Sequence, residues 1–199
     1  MENVGNSRSF SKNLGRMEMK HIYIARHGLT DWNLVPKVQG ITDIPLNEGG
    51  IKQAYGLAET IKKSGIKFDK ILYSPLKRAA ETAKIVGQVN DISCEKEPRL
   101  LEQNFGRWEG WECVKGDRSF HEAKQQFADD YKNGETMMKL AQRIYNLLDD
   151  LKAIPEDKNY LLVTHGGIAR CIHSYFFSMT NEEYSSFQLK NCEIKKYNF

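Results

Sequence analysis

The sequence predicts an α/β fold: a three-layer sandwich in which helices cover both faces of a mainly parallel central sheet, with a small irregular and helical cap. Two observations carry this prediction. Short apolar runs alternate with helical patterns along most of the chain, and three of these runs each end in a small polar cluster. The length of 199 residues suits one such domain, which needs no disulfide or metal to stabilise its core.

The first half of the patterned chain contains two strand-and-helix units. Residues 21–25 form a short β-rich run, and residues 48–64 place apolar side chains at helical spacing. A second apolar run at 70–73 is followed by Ser74-Pro75, where we predict that a helix starts and continues to about Val89. Strands that alternate with helices in this order are typical of a parallel sheet.

The second half contains the predicted cap and a third unit. Residues from about 103 to 135 interleave glycines with aromatic side chains and show no periodic pattern, so we assign the cap to them. Residues 136–153 form an amphipathic helical pattern, and the apolar run at 160–163 leads into a further helix. We therefore expect one domain over residues 20–199, preceded by a flexible extension at 1–19 that lacks the apolar core of a secretory signal.

The charge balance and the composition exclude several classes of protein. The chain carries 29 basic and 26 acidic side chains, and residues 1–20 account for most of the excess of +3. The rest of the chain is nearly neutral, which argues against a nucleic-acid groove, and no apolar run is long enough to span a membrane. Four cysteines without metal-binding or redox spacing indicate free thiols in a reducing cytoplasm.

Three polar clusters follow the three apolar runs. They are Arg26-His27-Gly28, Ser74 to Arg78, and His165-Gly166-Gly167. In open α/β sheets the ligand lies beyond the carboxyl ends of the strands, so we expect these clusters to meet in one crevice. Two arginines and two histidines beside helix N-termini would attract an anion, and guanidinium groups match the oxygens of a phosphoryl group.

A histidine among arginines has further chemistry. Neighbouring positive charge disfavours the imidazolium, so the ring stays neutral and keeps a free lone pair. A neutral imidazole in such surroundings is a competent nucleophile toward phosphorus. The second histidine could donate to the phosphoryl oxygens as charge develops during transfer.

Five motifs in order resemble the histidine phosphatase superfamily, in its phosphoglycerate-mutase-like branch. The resemblance covers roughly residues 20–195. The matching residues are Arg26-His27-Gly28 with Thr30, Trp32 and Asn33; Gly40 with Asp43, Pro45-Leu46, Gly50 and Gln53-Ala54; Ser74-Pro75-Leu76 with Arg78-Ala79 and Glu81-Thr82-Ala83; Leu101-Glu102 with Gly106 and Trp108-Glu109-Gly110; and Val163 to Gly167, with Gly134-Glu135-Thr136 before the long helix.

This resemblance implies a role for each matching residue, without a metal ion or a cofactor. His27 would be the nucleophile that forms a phosphohistidine, and Glu102 the general acid that protonates the leaving oxygen and then activates water. Arg26, Arg78 and His165 would complete the catalytic set by binding the phosphate. The residues expected to bind substrate are Arg26, Asn33, Gln39, Gly40, Arg78, Glu102, His165 and the backbone of Gly166.

Each of these residues also has a simpler interpretation. A single buried histidine is more often structural, and Arg78 could be a solvated residue in the first turn of a helix. Glu109 and Glu112 lie near Glu102 in the sequence, so the choice among the three rests on the motif. Other phosphate chemistries fail on spacing, because no cysteine precedes an arginine by the interval of a cysteine phosphatase and no Gly-Lys dipeptide allows a P-loop.

Three functions remain open. The first is a metal-independent phosphatase that acts on a small phosphomonoester, the second a cofactor-dependent phosphoglycerate mutase, and the third a phosphoryl-binding module without turnover. The resemblance implies that mutases of the family carry a longer insert, with adjacent arginines, that closes over the site and binds the substrate carboxylate. Here only 62 residues separate Glu102 from His165 and none of them form an adjacent arginine pair, which favours the first function. Four cap cations, Lys115, Arg118, Lys124 and Lys132, could still recognise a second acidic group. The expected partner is a small phosphorylated metabolite, with no nucleic acid or membrane, for a cytoplasmic monomer or homodimer.

Overall fold

The computed structural model describes residues 20–199, so the predicted flexible extension at 1–19 lies outside the described residues. A central sheet has five strands: β1 His21–Arg26, β2 Lys70–Tyr73, β3 Cys94–Lys96, β4 Tyr160–Thr164 and β5 Ile194–Asn198. Their order across the sheet is β3-β2-β4-β1-β5. All neighbouring strands run parallel except β5, which pairs with β1 in the antiparallel sense. The predicted α/β sandwich with a mainly parallel sheet is confirmed.

Seven α-helices and two short 3₁₀ turns connect the strands in the described part of the chain. The helices are α1 Asp31–Leu34, α2 Glu48–Ser64, α3 Lys77–Asn90, α4 Ser119–Ala123, α5 Met137–Ala153, α6 Gly166–Phe176 and α7 Asn181–Ser186. The 3₁₀ turns span Pro98–Leu100 and Gly106–Trp108. No helix among residues 20–199 combines the length and the apolar character needed to cross a membrane.

The start of α3 corrects one sequence prediction. The helix begins at Lys77 and not at Ser74-Pro75, because the backbone of Leu76 is extended, with φ −64° and ψ 138°. Pro75 therefore precedes the helix and does not occupy its first turn. The strands β3 and β5 were not predicted, since β3 has only three residues and β5 is a charged edge strand with the sequence IKKYN.

The sheet carries a separate apolar core on each face, because successive side chains of a strand point to opposite sides. On one face, Ile22 and Ile24 of β1 pack with the apolar stripes of α5 and α6. On the other face, Tyr23 and Ala25 pack with α2 and α3. A third, smaller cluster lies in the cap segment, residues 103–135, where Phe105, Ala123 and Tyr131 pack with Val38.

The register of the parallel strands brings the predicted clusters together. Arg26 at the end of β1 is paired with Thr164 at the end of β4, and Tyr73 of β2 is paired with Val163. The next residues along each strand, His27, His165 and Ser74, consequently leave the same edge of the sheet side by side.

Candidate active site

His27 is the first residue after β1, and only 3% of its surface is exposed. Its Nδ1 lies 2.7 Å from the carbonyl oxygen of Gly28. Because a carbonyl can only accept, Nδ1 carries the proton and Nε2 keeps its lone pair. Burial lowers the pKa of His27 well below its ordinary value, and the charges of Arg78 and Arg26 lower it further. The imidazole is therefore neutral at physiological pH.

The backbone around His27 is fixed on several sides. The amide of Gly28 donates to Thr82 Oγ1 over 3.1 Å, and Asn191 Nδ2 donates to the carbonyl oxygen of His27 over 2.8 Å. A Cβ atom on Gly28 would collide with the carbonyl oxygen of Gly50, at the first turn of α2. Glycine is thus required here to let the strand end approach the helix, and this contact holds the imidazole in place.

The second histidine, His165, lies directly beside the first. The centroids of the two rings are 5.1 Å apart. His165 is fully buried, and its Nε2 lies 2.7 Å from the hydroxyl oxygen of Ser74. Its Nδ1 is buried and has no hydrogen-bond partner. Burial lowers the pKa of His165 well below its ordinary value, with Arg78 and His27 adding to the effect.

Arg78 is fully buried in the first turn of α3, which rules out the solvated interpretation. Its two terminal nitrogens donate to the carbonyl oxygens of Gly40, over 2.7 Å, and Thr42, over 2.9 Å. The Nε atom is buried without a partner. Burial lowers the pKa of Arg78 to about 10, so that the guanidinium still carries its charge at neutral pH.

Glu109 binds the loop at residues 40–42, whose carbonyl groups accept from Arg78. Its carboxylate accepts hydrogen bonds from the amides of Gly40, Ile41 and Thr42, at 3.0–3.2 Å, and from the amide of Phe105. This use of both oxygens makes Glu109 a structural residue that joins the 40–42 loop to the cap segment.

Arg26 ends β1 and lines the cavity above His27. One terminal nitrogen donates to the carbonyl oxygen of Leu189 over 3.0 Å, whereas Nε is buried without a partner. A Cβ atom on Gly166, the first residue of α6, would lie 3.9 Å from this Nε. Arg26 Nε and the N-terminus of α6 are thus neighbours, and both favour a negative charge.

Glu102 is the carboxylate that reaches this cavity. It is 4% exposed, and its two oxygens accept hydrogen bonds from the amides of Gln103 and Gly167, each over 2.9 Å. A Cβ atom on Gly167 would lie only 2.5 Å from Glu102 Oε1, so glycine is needed there. Burial raises the pKa of Glu102, although the two amides oppose the shift. Glu112, in contrast, is exposed and pairs with Lys37.

The cavity in front of His27 has a volume of about 440 Å³. Six of the residues expected to bind substrate or to react line it: Arg26, His27, Asn33, Gln39, Glu102 and Gly166. Arg78 and His165 do not line it and have no exposed surface, although the ring of His165 lies 5.1 Å from that of His27. The structure therefore combines an open cavity with two buried polar side chains, Arg78 and His165, that are closed off from it.

Gly40 differs from the expectation that it binds substrate. It does not line the cavity, and both of its backbone polar groups are already used, the amide by Glu109 and the carbonyl oxygen by Arg78. Gly40 instead anchors the guanidinium of Arg78. Its neighbour Gln39 does line the cavity, with Nε2 donating to Thr30 Oγ1 over 2.7 Å and Oε1 buried without a partner.

Sequence reasoning assigned no role to three residues that shape the site: Thr82, which it named only as part of a motif, Asn191 and Arg170. Thr82 and Asn191 bind the backbone of residues 27–28, as described above, and nothing local in the sequence marks Asn191 for that contact. Arg170 lines the cavity and is 8% exposed. Its spacing could have revealed it, because Arg170 is four residues after Gly166 and therefore lies on the same face of α6.

The buried nitrogens without partners define the chemistry of the site. Among residues 20–199, the nitrogens of this kind on the predicted site residues and on Arg170 are Arg26 Nε, Arg78 Nε, His165 Nδ1 and Arg170 Nε. An unsatisfied buried donor costs about 1–3 kcal/mol, so the guanidinium nitrogens of Arg26 and Arg170, which both line the cavity, favour an anionic guest that accepts from them. A neutral imidazole with a free Nε2 lies among them. The arrangement can hold a phosphoryl group and present a nucleophile to it.

A metal ion would need a different set of side chains from the one around His27. Among residues 20–199 there is no group of three or more histidine, cysteine, aspartate and glutamate side chains placed to hold a metal ion. The positive charge around His27 comes from guanidinium groups, and metal independence stays a prediction.

The family model described as "Histidine phosphatase superfamily (branch 1)" matches residues 22–199. The chain belongs to this superfamily. The match confirms the resemblance that the sequence motifs indicated, and it covers the sheet, both helical layers and the cap segment.

Known relatives carry two kinds of name. The chain is 31% identical over 186 residues to "Probable phosphoglycerate mutase GpmB" of Proteus mirabilis, covering 91% of this chain and 86% of that protein. It is 33% identical to the structure of a phosphoserine phosphatase from Entamoeba histolytica in complex with 3-phosphoglyceric acid, with a TM-score of 0.75 over 89% of this chain and 90% of that one. The alpha-ribazole phosphatase of Shigella flexneri is 25% identical, with a TM-score of 0.73 over 88% and 89%.

Proposed function

We propose that this histidine phosphatase hydrolyses a small phosphomonoester through a phosphohistidine on His27, without a metal ion. One observation carries the proposal: a neutral imidazole with a free Nε2 lies among buried guanidinium nitrogens that have no partner. The similarity to structures named as phosphatases supports hydrolysis as the reaction.

In the first step, Arg26 binds the oxygens of the phosphoryl group from the cavity wall, and Arg78 and His165 bind them once the group displaces the side chains that cover these two residues. The Nε2 lone pair of His27 attacks phosphorus. The P–O bond to the alcohol breaks as the N–P bond forms. Glu102 gives its proton to the leaving oxygen, so that the alcohol departs neutral. The raised pKa of Glu102 suits this role, because a buried carboxyl keeps its proton nearer to neutral pH.

In the second step, the carboxylate of Glu102 removes a proton from a water molecule that attacks the phosphohistidine. The N–P bond breaks, its electron pair returns to Nε2 of His27, and phosphate leaves. The hydrogen bond that Nδ1 of His27 donates to the carbonyl oxygen of Gly28 keeps the ring in one tautomer throughout. The enzyme returns to its starting protonation state, so that neither an oxidant nor a cofactor is consumed.

The cap segment favours hydrolysis over transfer to a second molecule. Between Glu102 and His165 there are only 62 residues, without an adjacent arginine pair that would close the site over a second sugar acid. The cavity in front of His27 stays open to water. Because water is in large excess over any second acceptor, we expect the phosphohistidine to be hydrolysed.

A phosphoglycerate mutase is the second candidate, favoured by the name of the relative that is 31% identical. A mutase would return the phosphoryl group to a phosphoglycerate. Supplying 3-phosphoglycerate with a 2,3-bisphosphoglycerate primer separates the two functions: a mutase forms the 2-isomer faster than free phosphate, and the proposed phosphatase does the reverse.

The direct test is hydrolysis of 4-nitrophenyl phosphate by the purified protein, followed by a panel of phosphomonoesters with detection of free phosphate. We expect turnover that EDTA does not reduce and that vanadate inhibits. Loss of activity after EDTA, restored by added metal, would contradict metal independence. Tight phosphate binding with no turnover on the whole panel would favour a phosphoryl-binding module.

Arg78→Ala should lower kcat by on the order of 10²–10³-fold, the range found when a contact to a developing oxyanion is removed. The substitution also frees the carbonyl groups of Gly40 and Thr42, so Arg78→Lys, which keeps the charge, should recover only part of the loss. Steady-state kinetics on 4-nitrophenyl phosphate measure both. Lys84→Ala, at an exposed position of the same helix, is the control. A change of less than threefold in Arg78→Ala would remove Arg78 from the phosphate site.

A further inference from the structure

Arg170 is a buried cation that the proposed reaction does not use. It lies on α6, lines the cavity, and is 8% exposed. Its Nε is buried without a partner, and within residues 20–199 its guanidinium forms no hydrogen bond or ion pair. Its guanidinium lies over the ring of Tyr184, with the ring centroid 5.6 Å from Cζ. A buried guanidinium without an acceptor is costly, so it is expected to serve an anion that enters the cavity.

Lys124 faces the same cavity from the cap segment. Of the four cap cations named above, Lys124 lines the cavity and Lys115, Arg118 and Lys132 do not. Its Nζ donates to the carbonyl oxygen of Ser185 over 2.6 Å, which leaves two of its three donors for a ligand. Burial, together with the nearby charge of Arg170, lowers the pKa of Lys124 to about 7, and a bound anion would favour its protonated form.

Nearby carboxylates are already engaged. Glu182 binds His121 and Gln125 on the outer side of α4 and α7, at 3.0 and 2.8 Å. Glu102 spends both oxygens on backbone amides. Arg170 and Lys124 therefore line one cavity, and among residues 20–199 neither forms an ion pair with a carboxylate.

We propose that Arg170 and Lys124 form a second anion-binding site, so that the substrate is a phosphomonoester with a second acidic group, a carboxylate or a phosphate, a few atoms from the phosphoryl group. This inference rests on the proposed function and deepens it. Arg170 and Lys124 line the same cavity as Arg26, His27 and Glu102, so the second site lies beside the reacting centre. The cavity of about 440 Å³ limits the whole substrate to a small metabolite.

The two cations come from different parts of the fold. Arg170 belongs to a helix of the central sandwich, whereas Lys124 directly follows α4 in the cap segment. An anion held by both would join the cap to the core when substrate is present. Phe120 and Phe187 also line this part of the cavity, which leaves the apolar carbons of the substrate in contact with aromatic rings.

The test compares ligands that differ in the second acidic group alone. Glycerol 3-phosphate and 3-phosphoglycerate share a carbon skeleton, and a CH₂OH group in the first replaces the carboxylate of the second. A third ligand, glycerol 1,3-bisphosphate, keeps the same skeleton and supplies a phosphate as the second anion. Calorimetry on the His27→Gln protein measures binding without turnover. We expect 3-phosphoglycerate, the bisphosphate or both to bind at least about tenfold more tightly than glycerol 3-phosphate, as for a charge-assisted contact.

Arg170→Gln and Lys124→Gln, each added to the His27→Gln protein, should bring this preference to within about twofold of unity. Lys115→Gln, in the same cap segment but outside the cavity, should leave the preference unchanged. Lys124 lies on the cap and offers a second variant if Arg170→Gln fails to fold. Equal binding of the ligands to the His27→Gln protein, or a preference that survives both substitutions, would overturn the second site. Turnover of 4-nitrophenyl phosphate by the wild-type protein separately tests the phosphatase proposal, so the two failures are distinguishable.

Discussion

His27→Gln abolishes turnover of 4-nitrophenyl phosphate, lowering kcat by about 10⁴-fold or more. Glutamine has nearly the reach of histidine and can bind phosphate, but its amide nitrogen has no lone pair free to form an N–P bond. Loss of a covalent nucleophile removes the whole two-step route, which is why effects of this size are found for such residues. Initial rates with detection of 4-nitrophenol measure it directly.

The control is His21→Gln, at the opposite end of the same strand. It should retain wild-type kcat, because His21 is the first residue of β1 and the reaction takes place beyond the last. Binding of vanadate or phosphate by the His27→Gln protein shows that its site is still formed. Residual activity within tenfold of wild type would mean that His27 is not the nucleophile.

Glu102→Gln has the second largest expected effect, and its size depends on the leaving group. An alkyl phosphate such as glycerol 3-phosphate releases a basic alkoxide, so the proton from Glu102 is needed, and kcat/KM should fall by about 10²–10⁴-fold. 4-Nitrophenolate leaves without a proton, so its kcat/KM should change far less. The ratio of the two effects separates a general acid from a residue that only holds the site together.

The dependence of activity on pH tests the role of Glu102 independently. Burial lowers the pKa of His27, so activity should fall at low pH, where the nucleophile becomes protonated. Burial raises the pKa of Glu102, so activity on alkyl phosphates should fall again at high pH, where the acid loses its proton. Glu102→Gln should remove the alkaline limb and keep the acidic one. Glu112→Gln, at an exposed position, is the matched control. If Glu102→Gln lowered kcat/KM equally for the alkyl phosphate and for 4-nitrophenyl phosphate and left the pH profile unchanged, Glu102 would not be the general acid.

Much of the fold could be predicted from local pattern. The helices at 48–64 and 136–153 and the strands that precede the polar clusters were visible because their apolar side chains repeat at one clear period. The order of the clusters along a parallel sheet was enough to predict that His27 and His165 would meet. The structure brings their rings to 5.1 Å.

Other features depend on contacts that a single sequence does not encode locally. The edge strand β5 carries two consecutive lysines, and its pairing with β1 is set by the packing of the whole chain. The role of Gly40 as an anchor for Arg78 appears only when the 40–42 loop meets α3. The partnership of Arg170 with Lys124 likewise joins two segments that are distant along the chain.

The central claim is a covalent phosphohistidine on His27, and trapping this intermediate tests it most directly. The protein is mixed rapidly with a phosphomonoester, quenched in alkaline denaturant because the N–P bond is labile in acid, digested, and analysed by mass spectrometry. We predict a phosphoryl group on the peptide that contains His27, which appears within one turnover and disappears as substrate is exhausted. Steady turnover with no phosphorylated peptide at any time, or with the phosphoryl group on another side chain, would contradict the account.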